Sequence, residues 1–326
     1  GYSAKLDDQT VELVRRQDEI ASIGRSNSVQ RRDITVEGGR GWNAVRLSLR
    51  TYNGAYNSGP WTHDDYLGQS VTIYVLDTGI NIQHPGFQGS EVRFGANMVS
   101  RSNNNDNHGH GTMCAGVIAG KANGLSPRAT TIAVKIASDQ NVSQTDDVVA
   151  GIEWVLRQPG DNNMKVISMS HYGFSGVPDV STAVAAAIRA GVHFVVCAGN
   201  DQRDSCQVQP ANAVGVISVG SVNGYNALPK KPDEAQGTNI GKCVTIFAPG
   251  SRVPSLSTHN INSRYQYYSW GTSVAAPQVA ALIANRLSAL GPQTPADMKK
   301  WLEETATKDQ IIGDLGGSPN LIAFNG

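Results

Sequence analysis

The chain has 326 residues, 40% of them apolar, and sets 27 lysines and arginines against 27 aspartates and glutamates. That length can bury a sizeable core and fits one large α/β domain with a small appendage. The even charge gives no field that would draw nucleic acid or an anionic membrane, and no apolar run approaches the ~20 residues that span a bilayer. Residues 1–32 differ from the rest: the acidic pair Asp7-Asp8 opens a short helix, a strand follows, and Arg31-Arg32 ends the segment as a dibasic pair of a kind common in polar linkers.

From residue 33 onward strand and helix alternate. Predicted strands cover 71–76, 131–137, 165–169, 192–197, 216–220 and 244–247; predicted helices cover 110–119, 145–157, 179–190, 272–290 and 296–306. Apolar strands alternating with helices predict a mainly parallel sheet with helices on both faces. The run VTIYVLDTGI reads as a buried strand ending at Asp77, after which Thr78-Gly79 turns the chain. An aspartate at the carboxyl end of a buried strand stands where open α/β sheets place their chemistry.

The polar tract SRSNNNDNHGHG, 100–111, predicts a surface loop that leads into a helix beginning at His110, between Gly109 and Gly111. Ala115, Gly116, Ala119 and Gly120 let that helix approach the sheet closely. Cys114 lies one turn from His110 on the same face. It is either a hidden second nucleophile or a small buried residue behind the histidine, the reading adopted here. Asn141-Val142-Ser143 forms a glycosylation sequon. Cys197 sits in an apolar strand and reads as packing.

Ser273 follows Gly271-Thr272 at the start of a small-residue helix that carries Pro277 in its early turns. A serine there has its oxygen near unpaired N–H groups and the positive end of a dipole. To act as a nucleophile it needs a base, and the base needs an orienting partner. Asp77, His110 and Ser273 occur in one of the chain orders in which that catalytic geometry recurs.

Together with VVCAGN at 195–200, FAPG at 247–250 and the C-terminal ETATKDQIIGDLGGSPNLIAFNG, these motifs resemble the subtilisin-like serine peptidases, and within them the proteinase K group. The resemblance runs from about Trp42 to the C-terminus. It implies a three-layer α/β fold and a secreted serine endopeptidase acting on peptide or protein substrates, with no cofactor. It assigns Asp77, His110 and Ser273 to the catalytic triad and Asn200 to oxyanion stabilisation. It also implies a disulfide between Cys206 and Cys243. It likens residues 1–32 to the last third of an inhibitory propeptide, a segment that could stay bound to the peptidase domain, 33–326.

Several positions depart from the family's pattern. Met113 replaces a histidine. Ser170-His171-Tyr172-Gly173 stands where SLGG lines the substrate cleft and its primary specificity pocket, and Trp270 stands where a small or polar residue is usual. Gln278-Val279-Ala280-Ala281 follows Pro277 where the family has HVAG. Thr245 replaces a carboxylate ligand of a calcium site, so no metal is expected there. The aromatics predict a reshaped, more apolar cleft. They open one alternative to proteolysis, acyl transfer or cyclisation of a small apolar substrate; the propeptide-like segment opens another, a catalytically silent binding protein.

Overall fold

The computed structural model describes residues 34–326 apart from Asn53, Ala55, 175–178, 232–233 and 258–266. The helix and strand expected in residues 1–32, and Arg31-Arg32, lie outside the described residues.

A nine-stranded sheet forms the middle layer among the described residues. Its members are β3 (Thr72–Asp77), β4 (Val92–Asn97), β5 (Thr130–Lys135), β6 (Lys165–Met169), β7 (His193–Cys197), β8 (Ile217–Val222), β9 (Ile246–Pro249), β12 (Thr307–Lys308) and β13 (Leu321–Ile322). The order is β12-β13-β9-β8-β7-β6-β3-β5-β4, parallel except for the antiparallel β12–β13 pair. Side chains alternate between two cores along each strand. In β3, Ile73 and Val75 enter one apolar cluster, and Tyr74 and Leu76 enter the other. The first cluster is closed by helices α2 (His110–Ala119) and α5 (Thr272–Leu290), the second by α3 (Thr145–Leu156) and α4 (Val180–Arg189). Burial on both faces explains why these strands read as continuous apolar runs.

The chain winds outward in two directions from the centre of this sheet. β3 leads to β5 and β4 on one side, whereas β6 leads to β7, β8 and β9 on the other. The crevice beyond the carboxyl ends of β3 and β6 is therefore a topological switch point. Helix α5 is buried all round over its first 13 residues, from Thr272 to Ala284. Its alanines let it run close against α2 and strands β6–β9.

Several elements carry no apolar run and were not predicted. Helix α1 (Trp42–Ser48) packs Trp42 and Leu47 into the first core. Strands β1 (Ile34–Arg40) and β2 (Gly59–Asp64) form an antiparallel ribbon, with an irregularity between Glu37 and Arg40. Ile34 and Val36 of that ribbon are exposed, so it has no one-sided apolar pattern to detect. The short strands β10 (Val253–Ser255) and β11 (Tyr267–Ser269) form a second such pair. By contrast, helix α6 (Pro295–Thr305) was predicted at 296–306; it starts at the N-cap Thr294, whose hydroxyl accepts from the Asp297 N–H. Thr245 Oγ1 accepts from Ser218 N at 3.2 Å and donates to Val216 O at 3.3 Å.

Candidate active site

Asp77 ends β3, fully buried, at the switch point. Its Oδ1 accepts from the Thr78 N–H at 2.7 Å and from His110 Nδ1 at 2.8 Å. His110 is the first residue of α2, and the approach of that helix depends on Gly111. A Cβ at Gly111 would stand 2.0 Å from Gly79 O and 3.0 Å from Asp77 Cβ, so any side chain there would push the imidazole off the carboxylate.

The loop before α2 is tied down rather than free on the surface. Asp106 is buried: Oδ1 accepts from Thr78 Oγ1 and Gly109 N, and Oδ2 from Thr112 N and Thr112 Oγ1. Lys135 ends β5 with its ammonium fully buried, donating to Thr78 O at 2.6 Å, Asn105 O at 3.3 Å and Asp139 Oδ1 at 3.0 Å. Sequence reasoning missed both residues. A lone lysine inside the apolar run TIAVKIA was the available signal, since a charge is buried only when its partners are in place.

Burial opposes ionisation of Asp77, but the His110 ring, and after it His171, outweigh burial and hold the carboxyl well below the usual range. Burial likewise resists charge on His110, yet Asp77 holds a proton there and keeps the imidazole well above its ordinary value. Such a pair has the chemistry for a base oriented by a carboxylate.

Ser273 is the second residue of α5 and is nearly buried. Helix geometry would pair its carbonyl with the N–H of residue 277, but Pro277 has none. Ser170 Oγ takes that carbonyl at 2.9 Å and Cys114 Sγ at 3.3 Å. Pro277 thus frees an acceptor that fastens the serine's backbone to the residue after β6 and to the middle of α2. Gln278, also buried, braces the same turn through Pro249 O and Val274 O. The Ser273 hydroxyl donates to Ser170 O at 3.5 Å and makes no hydrogen bond to His110 in this rotamer. A long nucleophile–base contact is common in unliganded sites.

Asn200 follows β7. Its Oδ1 accepts from Thr272 N at 2.9 Å and Thr272 Oγ1 at 2.8 Å, which leaves the amide nitrogen beside Gly271 and the cleft. The Ser273 N–H belongs to the first turn of α5, where N–H groups have no partner within the helix. Two donors therefore flank the space in front of the serine. That space is a cleft of about 440 Å³, bordered by His110, Met113, Tyr172, Asn200, Trp270 and Ser273.

The segment 170–173 departs from a simple cleft wall. Ser170 is buried and serves the Ser273 carbonyl. His171 borders the cleft but is only 8% exposed, and its Nε2 lies 3.4 Å from Asp77 Oδ1. It was expected to face substrate, but it faces the carboxylate. Tyr172 lines the cleft beside Gly199. Its ring carbon Cδ2 is 3.1 Å from where a Cβ at Gly199 would stand, and its hydroxyl donates to Asp201 at 3.4 Å. Burial, chiefly, pushes the Tyr172 phenol up to about 12. Gly173 donates its N–H to Gln209 O at 2.9 Å. Trp270 lines the cleft and also a second pocket with Trp42, Tyr56, Arg252 and Tyr268. Asn141, Gln236 and Ser269 line the cleft too, so the two aromatics sit among polar groups and the expected apolar cleft is not found.

Cysteine usage separates cleanly. Cys206 and Cys243 form a disulfide. Cys114 and Cys197 are free and buried, and burial pushes both thiols up, which makes them inert. Asp77, His110 and Cys114 bring three donor atoms within 4.8 Å of one another. A thiol kept protonated and bonded to Ser273 O makes that trio a poor metal site.

A family model for the subtilase family matches residues 68–318. The chain belongs to the subtilase family. It is a serine endopeptidase with a subtilisin-like fold. A subtilisin-like serine protease of Rhodotorula mucilaginosa is 33% identical over 99% of this chain and 96% of its own length. Subtilisin-like protease 1 of Pseudogymnoascus destructans is 36% identical over 100% of this chain and 78% of its own. The crystal structure of a cold-adapted subtilisin-like serine proteinase superposes with a TM-score of 0.77 at 29% identity, covering 87% of this subtilase and 97% of that chain. Among the described residues, no helix is long and apolar enough to cross a membrane.

Proposed function

We propose that this subtilase cleaves peptide bonds with Ser273 as nucleophile, His110 as general base and Asp77 as the group that orients and stabilises the imidazolium. Asn200 Nδ2 and the Ser273 N–H receive the oxyanion. The observation that carries this reading is the fully buried Asp77 bonded at 2.8 Å to Nδ1 of His110, which lines the cleft together with Ser273 and Asn200. His110 takes the serine proton as Oγ attacks the carbonyl carbon, then returns it to the leaving amine; water repeats the sequence on the acyl-enzyme. The polar lining favours hydrolysis over the chemistry of a small apolar substrate.

Tyr172 narrows the choice of peptide. Its ring fills space beside Gly199, next to the oxyanion donor, and its hydroxyl is tied to Asp201. Substrates with a small residue before the scissile bond fit this cleft, and bulky aromatics there compete with the tyrosine. The Cys206–Cys243 disulfide supports work in an oxidising compartment outside the cytosol, in keeping with secretion.

A panel of peptides that differ only before the scissile bond tests both parts. Ser273→Ala should lose fluorophosphonate labelling and about 10⁶-fold in kcat, the scale set by the same change in subtilisin. The intact chain should prefer glycine or alanine to phenylalanine. Turnover that survives Ser273→Ala would overturn the assignment of the nucleophile, and a preference for phenylalanine would overturn the role of Tyr172.

A further inference from the structure

Asp77 serves two imidazoles, not one. His171 reaches the same carboxylate, with Nε2 3.4 Å from the Oδ1 that holds His110. The two rings stand edge to face, 5.5 Å apart at 75°. His171 Nδ1 contacts Ser143 Oγ at 2.9 Å. Ser143 is itself fixed, because it bridges Ala137 just beyond the end of β5, and Ser138 and Val142 close the turn between them. Both His171 Nε2 and Asp77 Oδ2 are buried and lack a hydrogen-bond partner. A buried orphan donor beside a buried orphan acceptor costs free energy, so the arrangement needs a reason.

We propose that His171 is a positioning residue for peptide hydrolysis: with Ser143 donating to Nδ1, the ring presents an Nε2–H to Asp77 and so weakens the hold of that carboxylate on the His110 proton. This rests on the assignment of Asp77 and His110 to catalysis given above. The physical effect is simple. A carboxylate whose charge is shared with a second N–H donor is a weaker partner for the first imidazolium. His110 then releases its proton at a lower pH and is available as a base over a wider range. The other titratable groups nearby are His108, whose ring centroid is 6.3 Å from that of His110, and Cys114, whose thiol is 4.0 Å from His110 Nδ1. Neither touches Asp77 between the two rings. After burial and His110, His171 is the next influence on the Asp77 carboxyl.

The experiment is the pH profile of kcat/KM on one peptide for the intact chain, His171→Leu, His171→Gln and Ser143→Ala. His171→Leu should move the acid limb upward by ~0.5–1 pH unit, because Asp77 then serves His110 alone. His171→Gln, whose amide can still donate, should bring the limb back toward its original position. Ser143→Ala leaves the ring in place but releases its tautomer, and should move the limb in the same upward direction by less. Fluorophosphonate labelling of Ser273 reports that each variant is folded. Should the leucine variant fail to label, Ser143→Ala decides on the same profile. A limb unmoved or lowered in both His171→Leu and Ser143→Ala would overturn the proposal. If Ser273→Ala also retains turnover, the catalytic assignment itself fails; if Ser273→Ala is inactive, only the role of His171 falls.

Discussion

At the carboxyl edge of the sheet a half-buried histidine keeps its proton, and at the amino edge a fully buried histidine loses one. His110 lies beside Asp77, which overcomes burial and holds the ring well above its ordinary value. His193, the first residue of β7, is fully buried with Nε2 donating to Asn163 O at 3.1 Å, and burial pushes it down to about 4. Nearby Lys165 follows the same rule: its ammonium meets Gln158 O and Asn162 Oδ1, and burial lowers it. Carbonyl oxygens satisfy a donor without stabilising a full charge; a carboxylate does both. Withdrawal from water is complete for His193 and partial for His110. The counter-charge at the switch point is what distinguishes the two edges, and on the proposed mechanism it is what makes one of them chemical.

The sharpest way to break this contrast is to remove the counter-charge. Asp77→Asn should lower kcat at neutral pH by about 10⁴-fold while the chain still folds, because the amide holds the ring in the wrong tautomer. Peptide hydrolysis within tenfold of the intact chain would show that the carboxylate is not what distinguishes the two edges. A smaller loss tests the electrostatics around the serine. Asn200→Ala should cost about 10²–10³ in kcat with KM little changed, since its amide acts on charge that develops only during reaction. A change confined to KM would assign Asn200 to substrate binding instead.

The amino edge carries the smallest effect, on stability and not on rate. The unfolded chain takes a proton on residue 193 near pH 6.5, while the folded ring refuses it until about pH 4. Stability from this group is therefore complete above pH 6.5 and drains as pH falls toward 4, by about 3 kcal/mol in total. Thermal unfolding of the inactive Ser273→Ala form across that window should steepen toward acid, and His193→Gln should flatten it. Identical slopes would place the acid sensitivity elsewhere.

Much of this molecule could be read before it was seen folded. The strand 165–169 and the helices 110–119 and 272–290 occur where the apolar runs and their flanking glycines put them. Asp77, His110 and Ser273 stood out because each lies at or near the end of a regular element within two residues of a glycine, and Asn200 through the resemblance of the segment VVCAGN. β4 was not, because Gly95 interrupts it and its side chains are only half-buried. The ribbon of β1 and β2 escaped because exposed pairing leaves no one-sided apolar trace.

Local order determined the rest of what the sequence could say: which residues are buried, which end each element, and which cysteines are small packing groups. Tertiary structure alone decided who meets whom. Ser170 bonding to the carbonyl freed by Pro277, Lys135 gripping Thr78, Tyr172 lying over Gly199 and His171 turning to Asp77 all join residues far apart in the chain. Periodicity reports the face a side chain occupies, because that depends on its own backbone. The partner it finds on that face depends on how separate strands and helices are laid together, and no local pattern carries that information.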